Sequence, residues 1–551
     1  MTYQIVPESA PFNLEQRAWL NGFFAGVLGV LDQQGVQGGS SAVMATAAEL
    51  LSSPLDASSS NADEPSESFP WHDSGLPIQE RMQLAERKPK DRRLMAAMAQ
   101  LDCGTCGYLC KTYAEAIANG SEKNLSLCSP GGNETAKTIR HILKESGGET
   151  VASQRTIPSA SERPLGPVGT RENPAVAKLM ASNRLNRGDS AKDTRHVVID
   201  LSATPLNYRV GDALGVSPRN CPELVQSVMA AAKLNPQSIV QCKAGQANET
   251  HSLAEALAQS CLRTISQDLV DLAMQIVRDR PKHNGSVAID EQRLQDLRLF
   301  SESDEFYQWD VLEFVQKFDG IQYSEQQFVE ALVPLRPRLY SIASSQSLFP
   351  NEVHLTVGRV VSYVRERKRK GVASTMLSDR LDPGASLRVF VHPSHGFTVP
   401  ADKSAPMIMV GPGTGIAPFI AFLQQRQVDR ATGKNWLFFG DQRRECDYLY
   451  EPQLEAWRES GHLTRLDLAF SRDGANKIYV QHLMLEQGRE IYEWLLAGGH
   501  FYVCGDASRM AADVDRALRD ILSKHGKMNE TQSKRYLQEL TESHRYARDV
   551  Y

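Results

Sequence analysis

Apolar positions recur at helical spacing through residues 1 to 50, and the pattern then stops. Residues 51–92 are rich in Ser, Pro, Asp and Glu, as in Ser58-Ser59-Ser60 and Glu64-Pro65-Ser66, and predict a flexible linker. A compact cysteine-bearing stretch over 93–147 follows. A second polar run at 148–173, punctuated by Pro158, Pro164 and Pro167, predicts another linker. From His196 the texture changes. His196 to Leu201 reads as a strand, and Tyr208 to Val216 as strand and turn. Residues 221–330 carry a mostly helical pattern, and strand-like segments resume at 338–364 and 386–399. Beyond 406 apolar strands alternate with helical runs, which predicts a parallel sheet wound with helices. Its strands are Met407 to Val410, Trp436 to Gly440, Leu468 to Arg472 and Phe501 to Asp506, and Ser533 to Leu540 predicts an amphipathic helix near the end.

The length, 551 residues, exceeds what one core supports and implies roughly three or four domains. Hydrophobic residues at 41% and charged residues at 23% describe a soluble protein, and a net charge of -5 argues against nucleic acid as a partner. The apolar run from Trp19 to Leu31 is too short and too Gly-interrupted to cross a bilayer. Glu8 and Glu15 stand where a signal peptide would carry Lys or Arg, so the expectation is a cytoplasmic protein without membrane association. Of nine cysteines, Cys103, Cys106, Cys110 and Cys128 cluster, and in a reducing compartment they read as metal ligands rather than disulfides.

Chemistry concentrates at the ends of the predicted strands. Met407 to Val410 feeds Gly411-Pro412-Gly413-Thr414-Gly415 and then a helix over Phe419 to Arg426. Glycines admit a pyrophosphate close to the backbone and a helix N-terminus offers it amide donors; a purely structural turn is the alternative. Ser471 and Arg472 end another strand, where a guanidinium reads a 2′-phosphate. Lys477, Ile478, Tyr479, Val480 and Gln481 add a cation, a stacking ring and an amide, and the set favours NADPH over NADH. A solvated loop of surface charges is the competing reading. Cys504 ends the fourth strand, facing the same crevice or buried as a structural thiol. Farther upstream, Arg338 can pair with a phosphate, Tyr340 can stack on a flat ring and Ser341 can hydrogen-bond a ring nitrogen. Gly371-Val372-Ala373-Ser374 opens a helix suited to a second phosphate. The final Tyr551 either docks in a hydrophobic seam or covers a bound ring.

Taken in order and spacing, Arg338-Leu339-Tyr340-Ser341, Thr356-Val357-Gly358, Gly371 to Ser374, Gly413-Thr414-Gly415, Ser471-Arg472, Lys477 to Gln481, Cys504-Gly505-Asp506 and Arg545 to Tyr551 resemble the ferredoxin-NADP reductase-like half of the diflavin reductases. Among these the flavoprotein subunits of NADPH-dependent sulfite reductases are most similar, over residues 174–551. The resemblance implies a multidomain chain. An antiparallel β-barrel FAD domain would span 174–400, with a helical connecting insertion over 221–330, and a doubly wound α/β NADP-binding domain would span 401–551. It implies FAD held by Arg338, Leu339, Tyr340, Ser341, Thr356, Val357, Gly358, Tyr363, Gly371, Val372, Ala373 and Ser374, with Tyr551 over the isoalloxazine. The spacing to Tyr363 is one residue longer than in the family. NADPH would be held by Gly413, Thr414, Gly415, Ser471, Arg472, Lys477, Ile478, Tyr479, Val480, Gln481 and Asp513. Ser341, Cys504 and Asp549 would surround the hydride path.

Residues 1–173 depart from that family, because nothing there reads as a flavodoxin-like FMN domain. The spacing Cys103-x2-Cys106-x3-Cys110-x17-Cys128 can instead close four thiolates on one centre. With Tyr113-Ala114-Glu115-Ala116-Ile117 and Cys128-Ser129-Pro130-Gly131-Gly132, it resembles the small α-rich 4Fe-4S domain of redox-complex subunits, although the third cysteine comes one residue early. A structural zinc on the same four cysteines is the alternative. A cluster would supply the single-electron relay that FMN provides elsewhere. The expected path runs from NADPH through FAD and a 4Fe-4S cluster to a haem-containing partner, the sulfite reductase hemoprotein. Nitrite or nitrate reductase, a ferredoxin or a flavodoxin is the second acceptor reading. In the third, the N-terminal part is a zinc-stabilised docking module that carries no electrons.

Overall fold

The computed structural model describes residues 69–71, 76–100, 108, 110–120, 122, 125, 127–128, 131–145 and 166–551, the last stretch without 245–246, 282–286, 395 and 508. The helical pattern over 1–50, most of the 51–92 and 148–173 stretches, Cys103 and Cys106 therefore lie outside the described residues. The elements below belong to the unit Pro70–Tyr551.

The composition that predicts a linker as far as 92 instead leads into helices. α1 (Ile78–Leu84) and α2 (Lys90–Ala96) follow Pro77 and Pro89 directly. Proline just ahead of a helix costs nothing, because the N–H it lacks would find no helical partner there. Ile78, Leu94 and Met95 are buried, which a solvated linker would not allow. α3 (Cys110–Ala118) and α4 (Gly132–Glu145) complete the module. Thr135 Oγ1 on α4 donates to the Ala97 carbonyl at 2.8 Å, and Leu127 N donates to the Tyr113 hydroxyl at 3.2 Å.

Downstream, six antiparallel strands form one sheet: β1 (Ala175–Arg184), β2 (Thr194–Asp200), β3 (Ala213–Val216), β4 (Arg338–Ser341), β5 (Glu352–Gly358) and β6 (Ser386–His392). Their order is β4-β3-β6-β1-β2-β5, and a bridge from Ile342 to Leu355 brings the two outer strands towards each other. β1 alternates buried and exposed positions over Ala175 to Met180, so one face packs inward and the other meets water. Between β3 and β4 lies a helical insertion with its own core, built around Leu269, Phe314 and Phe328. It also holds a two-stranded hairpin, Ile239–Ala244 with Ala247–Ser252, inside the stretch that reads as helical in sequence.

The C-terminal sheet is wholly parallel, in the order β9-β8-β7-β10-β11, from β7 (Met407–Val410), β8 (Asn435–Asp441), β9 (Arg465–Phe470), β10 (His500–Gly505) and β11 (Tyr546–Val550). Alternation sorts its side chains into two cores. Met407, Met409, Leu437 and Phe439 meet Phe419 and Phe422 of α5 (Ala417–Val428) on one face. Ile408, Val410, Trp436 and Phe438 meet Val514 and Leu518 of α6 (Met510–Gly526) on the other. Burial on both sides explains why β7 and β8 read as unbroken apolar runs.

A polar seam joins the two sheets. Asn186 donates to Asp447 at 2.8 Å, Arg187 pairs with Glu451 at 2.6 Å, and Lys192 pairs with the buried Asp441. The Tyr450 hydroxyl, on a residue with left-handed backbone, bonds Thr356 Oγ1 at 2.8 Å and His196 Nδ1 at 3.0 Å. Burial, and then the neighbouring His354, lowers the His196 pKa from 6.5 to about 4, with Glu352 opposing. Because the folded value is the lower one, this contribution is complete above pH 6.5 and is lost as pH falls towards 4. By pH 5 the wild type should lose about 2 kcal/mol from this one group, and His196→Gln should lose correspondingly less, as read by urea unfolding across that range.

Candidate active site at the joint end of the two sheets

The parallel register of β10 and β11 sets Cys504 opposite Asp549 and Gly505 opposite Val550. From the antiparallel sheet, Ser341 at the end of β4 donates its hydroxyl to Asp549 Oδ2. The Cys504 thiol donates to the same oxygen at 3.7 Å. The three residues expected around the hydride path thus meet at one carboxylate. Burial raises the Asp549 pKa above its usual value of 3.8, against the Ser341 and Cys504 bonds and the charge of His392. Burial, and then Asp549, also pushes the Cys504 thiol well up, so the sulfur is a neutral donor rather than a thiolate.

Tyr551 continues past β11. Its N–H donates to the Gly505 carbonyl at 3.0 Å, and its hydroxyl bonds Thr414 Oγ1 at 2.8 Å, with half of the residue exposed. Thr414 belongs to the glycine turn between β7 and α5. A Cβ on Gly415 would stand 2.1 Å from the Cys504 carbonyl oxygen, so only glycine lets this turn lie on the end of β10. The tip of β5 reaches the same place: a Cβ on Gly358 would touch Thr414 Cγ2 at 3.3 Å.

The remaining expected flavin residues spread outward along the antiparallel sheet. Arg338 is exposed, Leu339 and Tyr340 are half-buried, and Thr356 and Val357 are buried. Burial raises the Tyr340 hydroxyl to about 12. Gly371 precedes the single helical turn Val372–Thr375, where Ala373 and Ser374 are buried and the Ser374 hydroxyl accepts from Val360 N at 3.1 Å. Tyr363 stands apart, 71% exposed on the hairpin Val361–Val364 with Arg367–Lys370.

At the far side of the crevice, Ser471 N donates to the Asp441 carbonyl at 3.0 Å and Arg472 N to the Gln442 carbonyl at 2.8 Å. These bonds tie the loop after β9 to the carboxyl end of β8. The Arg472, Lys477, Ile478 and Tyr479 side chains project into solvent, while Val480 is buried at the start of the next helix. Gln481 donates to Asp513 of α6 at 3.2 Å. Among the described residues neither Arg472 nor Lys477 has an ion-pair partner, which leaves both charges available to a phosphate.

Sequence reading passed over the Lys192–Asp441 pair. Asp441 Oδ2 is buried with no hydrogen-bond partner beside Gly413, and burial raises its pKa against Lys192. Its signal was available, since Asp441 directly follows the apolar run Trp436 to Gly440 at a strand's carboxyl end, where open parallel sheets bind ligands. The site fits a dinucleotide: glycine-only backbone at the turn, an orphaned acceptor for a hydroxyl, and two unpaired cations for phosphate.

In the N-terminal module Cys110 opens α3 and Cys128 precedes α4, its carbonyl accepting from Gly132 N at 3.0 Å. Helix N-termini favour thiolates, and a Cβ on Gly131 would lie 3.0 Å from Cys128 Sγ. Cys110 and Cys128 thus stand at or just before the starts of two helices of the module, while Cys103 and Cys106 lie outside the described residues.

Comparison with known families agrees with this geometry. The FAD binding domain family matches residues 168–376, the oxidoreductase NAD-binding domain family matches 409–516, and the family described as "Putative Fe-S cluster" matches 98–130. Fold and site thus define a flavin- and nicotinamide-dependent oxidoreductase. The sulfite reductase (NADPH) flavoprotein alpha-component of Bacillus subtilis is 36% identical over 476 residues, covering 84% of this chain and 76% of the relative. That of Mannheimia succiniciproducens is 41% identical over 69% of this chain and 62% of the relative, and that of Photorhabdus laumondii 41% over 75% and 67%. The chain belongs to the sulfite reductase flavoprotein alpha-component family, and it spans between 62% and 76% of the length of these relatives. No helix among the described residues is long and apolar enough to cross a membrane.

A raised carboxyl pKa means that the fold pays for charge on Asp549, and that this cost appears as pH rises through the folded value. Asp549→Asn should therefore unfold at a higher temperature than wild type near neutral pH, with the two curves converging below pH 3.8. NADPH-driven flavin reduction should be slower in the same variant.

Proposed function

We propose that the chain is a cytoplasmic NADPH-dependent reductase that delivers electrons one at a time to a haem-containing partner, the sulfite reductase hemoprotein. The observation that carries this reading is the meeting of Ser341, Cys504 and Asp549 beside the Tyr551–Thr414 bond, where the two sheets adjoin. Bound here, FAD would supply the acceptor for the hydride of NADPH, and a 4Fe-4S cluster on Cys103, Cys106, Cys110 and Cys128 would take the electrons singly.

The chain's own residues supply binding and proton control. Arg338 would pair with the flavin pyrophosphate, and Tyr340 would stack on the ring system. Thr356, Val357, Gly358 and the Gly371 to Ser374 turn would line the remainder of an antiparallel barrel. Asp549, held towards its neutral form by burial, can keep a proton and pass it through the Ser341 hydroxyl to the ring edge. Tyr551 would cover the place the nicotinamide takes and move off when NADPH arrives, giving up its bond to Thr414. Gly413, Thr414 and Gly415 would receive the pyrophosphate, Asp441 a hydroxyl, and Ser471, Arg472 and Lys477 the 2′-phosphate, with Tyr479, Gln481 and Asp513 completing the pocket.

Arg472→Ala removes a charge-assisted contact to phosphate, so the KM for NADPH should rise about tenfold or more with the KM for NADH unmoved. Equal changes for both nucleotides would refute the 2′-phosphate assignment. Anaerobically purified protein should contain about four irons with acid-labile sulfide per chain, and Cys128→Ser should lose them. One zinc and no iron would make the module structural.

A further inference from the structure

The four-cysteine module rests on the rest of the chain at three points. The Arg140 guanidinium, on α4, is 4.6 Å from the centre of the Tyr307 ring and 5.4 Å from that of Phe306. Both rings lie on a short helix of the insertion, Glu305–Gln308. One turn earlier on α4, Lys137 Nζ stands 2.7 Å from Asp304 Oδ1. The third point is on the flavin side. Glu122 Oε2 is 3.5 Å from Arg336 Nη2 and accepts from the Tyr108 hydroxyl at 3.2 Å. Glu122 lies between Cys110 and Cys128 in the chain, and Arg336 stands two residues before Arg338 on β4.

No single contact here is strong. Lys137–Asp304 is exposed and worth little alone, and a guanidinium over aromatic faces contributes about 0.5–2 kcal/mol. Together they fix an orientation. The module presents two cations to the insertion, one against Asp304 and one over the Phe306 and Tyr307 rings, and one carboxylate to Arg336 at the approach to β4. A rotated docking would set like charges against each other.

We propose that this clamp holds the module in its electron-accepting position, so that electrons leave the flavin side through the Arg336–Glu122 contact without any swing of the module. The proposal rests on the relay reading given above. It commits the chain to a route within one fixed arrangement.

Lys137→Cys and Asp304→Cys, bridged by a short bismaleimide in a chain whose Cys221, Cys242 and Cys261 are serine, lock the arrangement. The bridged peptide should be found by mass spectrometry. After mixing with NADPH, the freeze-quenched paramagnetic signal of the reduced iron centre should grow as fast in the bridged protein as in the unbridged one. Failure to bridge, or growth slowed about tenfold by bridging, overturns the proposal. Conversely, Lys137→Ala with Arg140→Ala should slow the signal about tenfold while flavin bleaching by NADPH keeps its rate, since a loosened module is less often in place. An unchanged signal in that variant also counts against the clamp. Zinc in place of iron in these samples removes the relay itself, and shows in the metal content whether or not the bridge forms.

Discussion

β11 joins the parallel sheet by running beside β10, and this register places a carboxylate under a serine that arrives from the other sheet. Everything else at the site is arranged around that meeting. Gly415 must be bare for the turn to lie on the Cys504 carbonyl, Gly358 at the tip of β5 lies close to Thr414, and Tyr551 is carried to Thr414 because Val550 pairs with Gly505. A slip of one residue in β11 would turn Asp549 to the opposite face and take Tyr551 out of reach. The geometry of the candidate site is thus a consequence of strand pairing, with little left to loop conformation.

The C-terminal half was legible because its signals are redundant. β7 and β8 are unbroken apolar runs ending in glycine-rich or polar turns, and few other structures use that pattern. The final strand was not legible. Tyr546 and Val550 are its buried ends, with the less buried Ala547, Arg548 and Asp549 between them, and nothing in that pattern predicts a strand until β10 is there to pair with it. The extended chain is stabilised by long-range backbone bonds that local sequence does not record. Composition likewise failed towards the end of the 51–92 stretch, where Pro77 and Pro89 stand at helix starts. The difference lies in whether Ile78 and Leu94 find a core, and a single sequence does not say so.

The site residues fall into two groups on the same ground. Ser341, Cys504 and Asp549 are far apart in the chain, and only a family pattern in the sequence linked them; the geometry supplies the reason. Asp441 carries no motif of its own, and its weight comes from burial and from Lys192, neither of which is visible before folding. Tyr363 is the opposite case. Its motif position is suggestive, yet it stands on an outlying hairpin whose arginines are tied to Asp310 and Glu313 of the insertion.

The seam between the sheets divides the crevice into a fixed wall and a variable one. Lys192–Asp441, Asn186–Asp447 and Tyr450 with Thr356 bury polar groups that could separate only at the cost of leaving them unpaired. The loop bearing Arg472, Lys477 and Tyr479 is anchored by the Ser471 and Arg472 backbone bonds and by Asp473, which accepts from Arg444 N, while the Arg472 and Lys477 side chains are exposed with no ion-pair partner among the described residues. On the proposed reading, natural variation on that loop can rewrite nucleotide preference without disturbing folding or the proposed hydride path. Changes on the seam side would be purged as misfolded chains before their effect on catalysis could be selected. A lineage of such reductases should drift in cofactor choice far more freely than in chemistry.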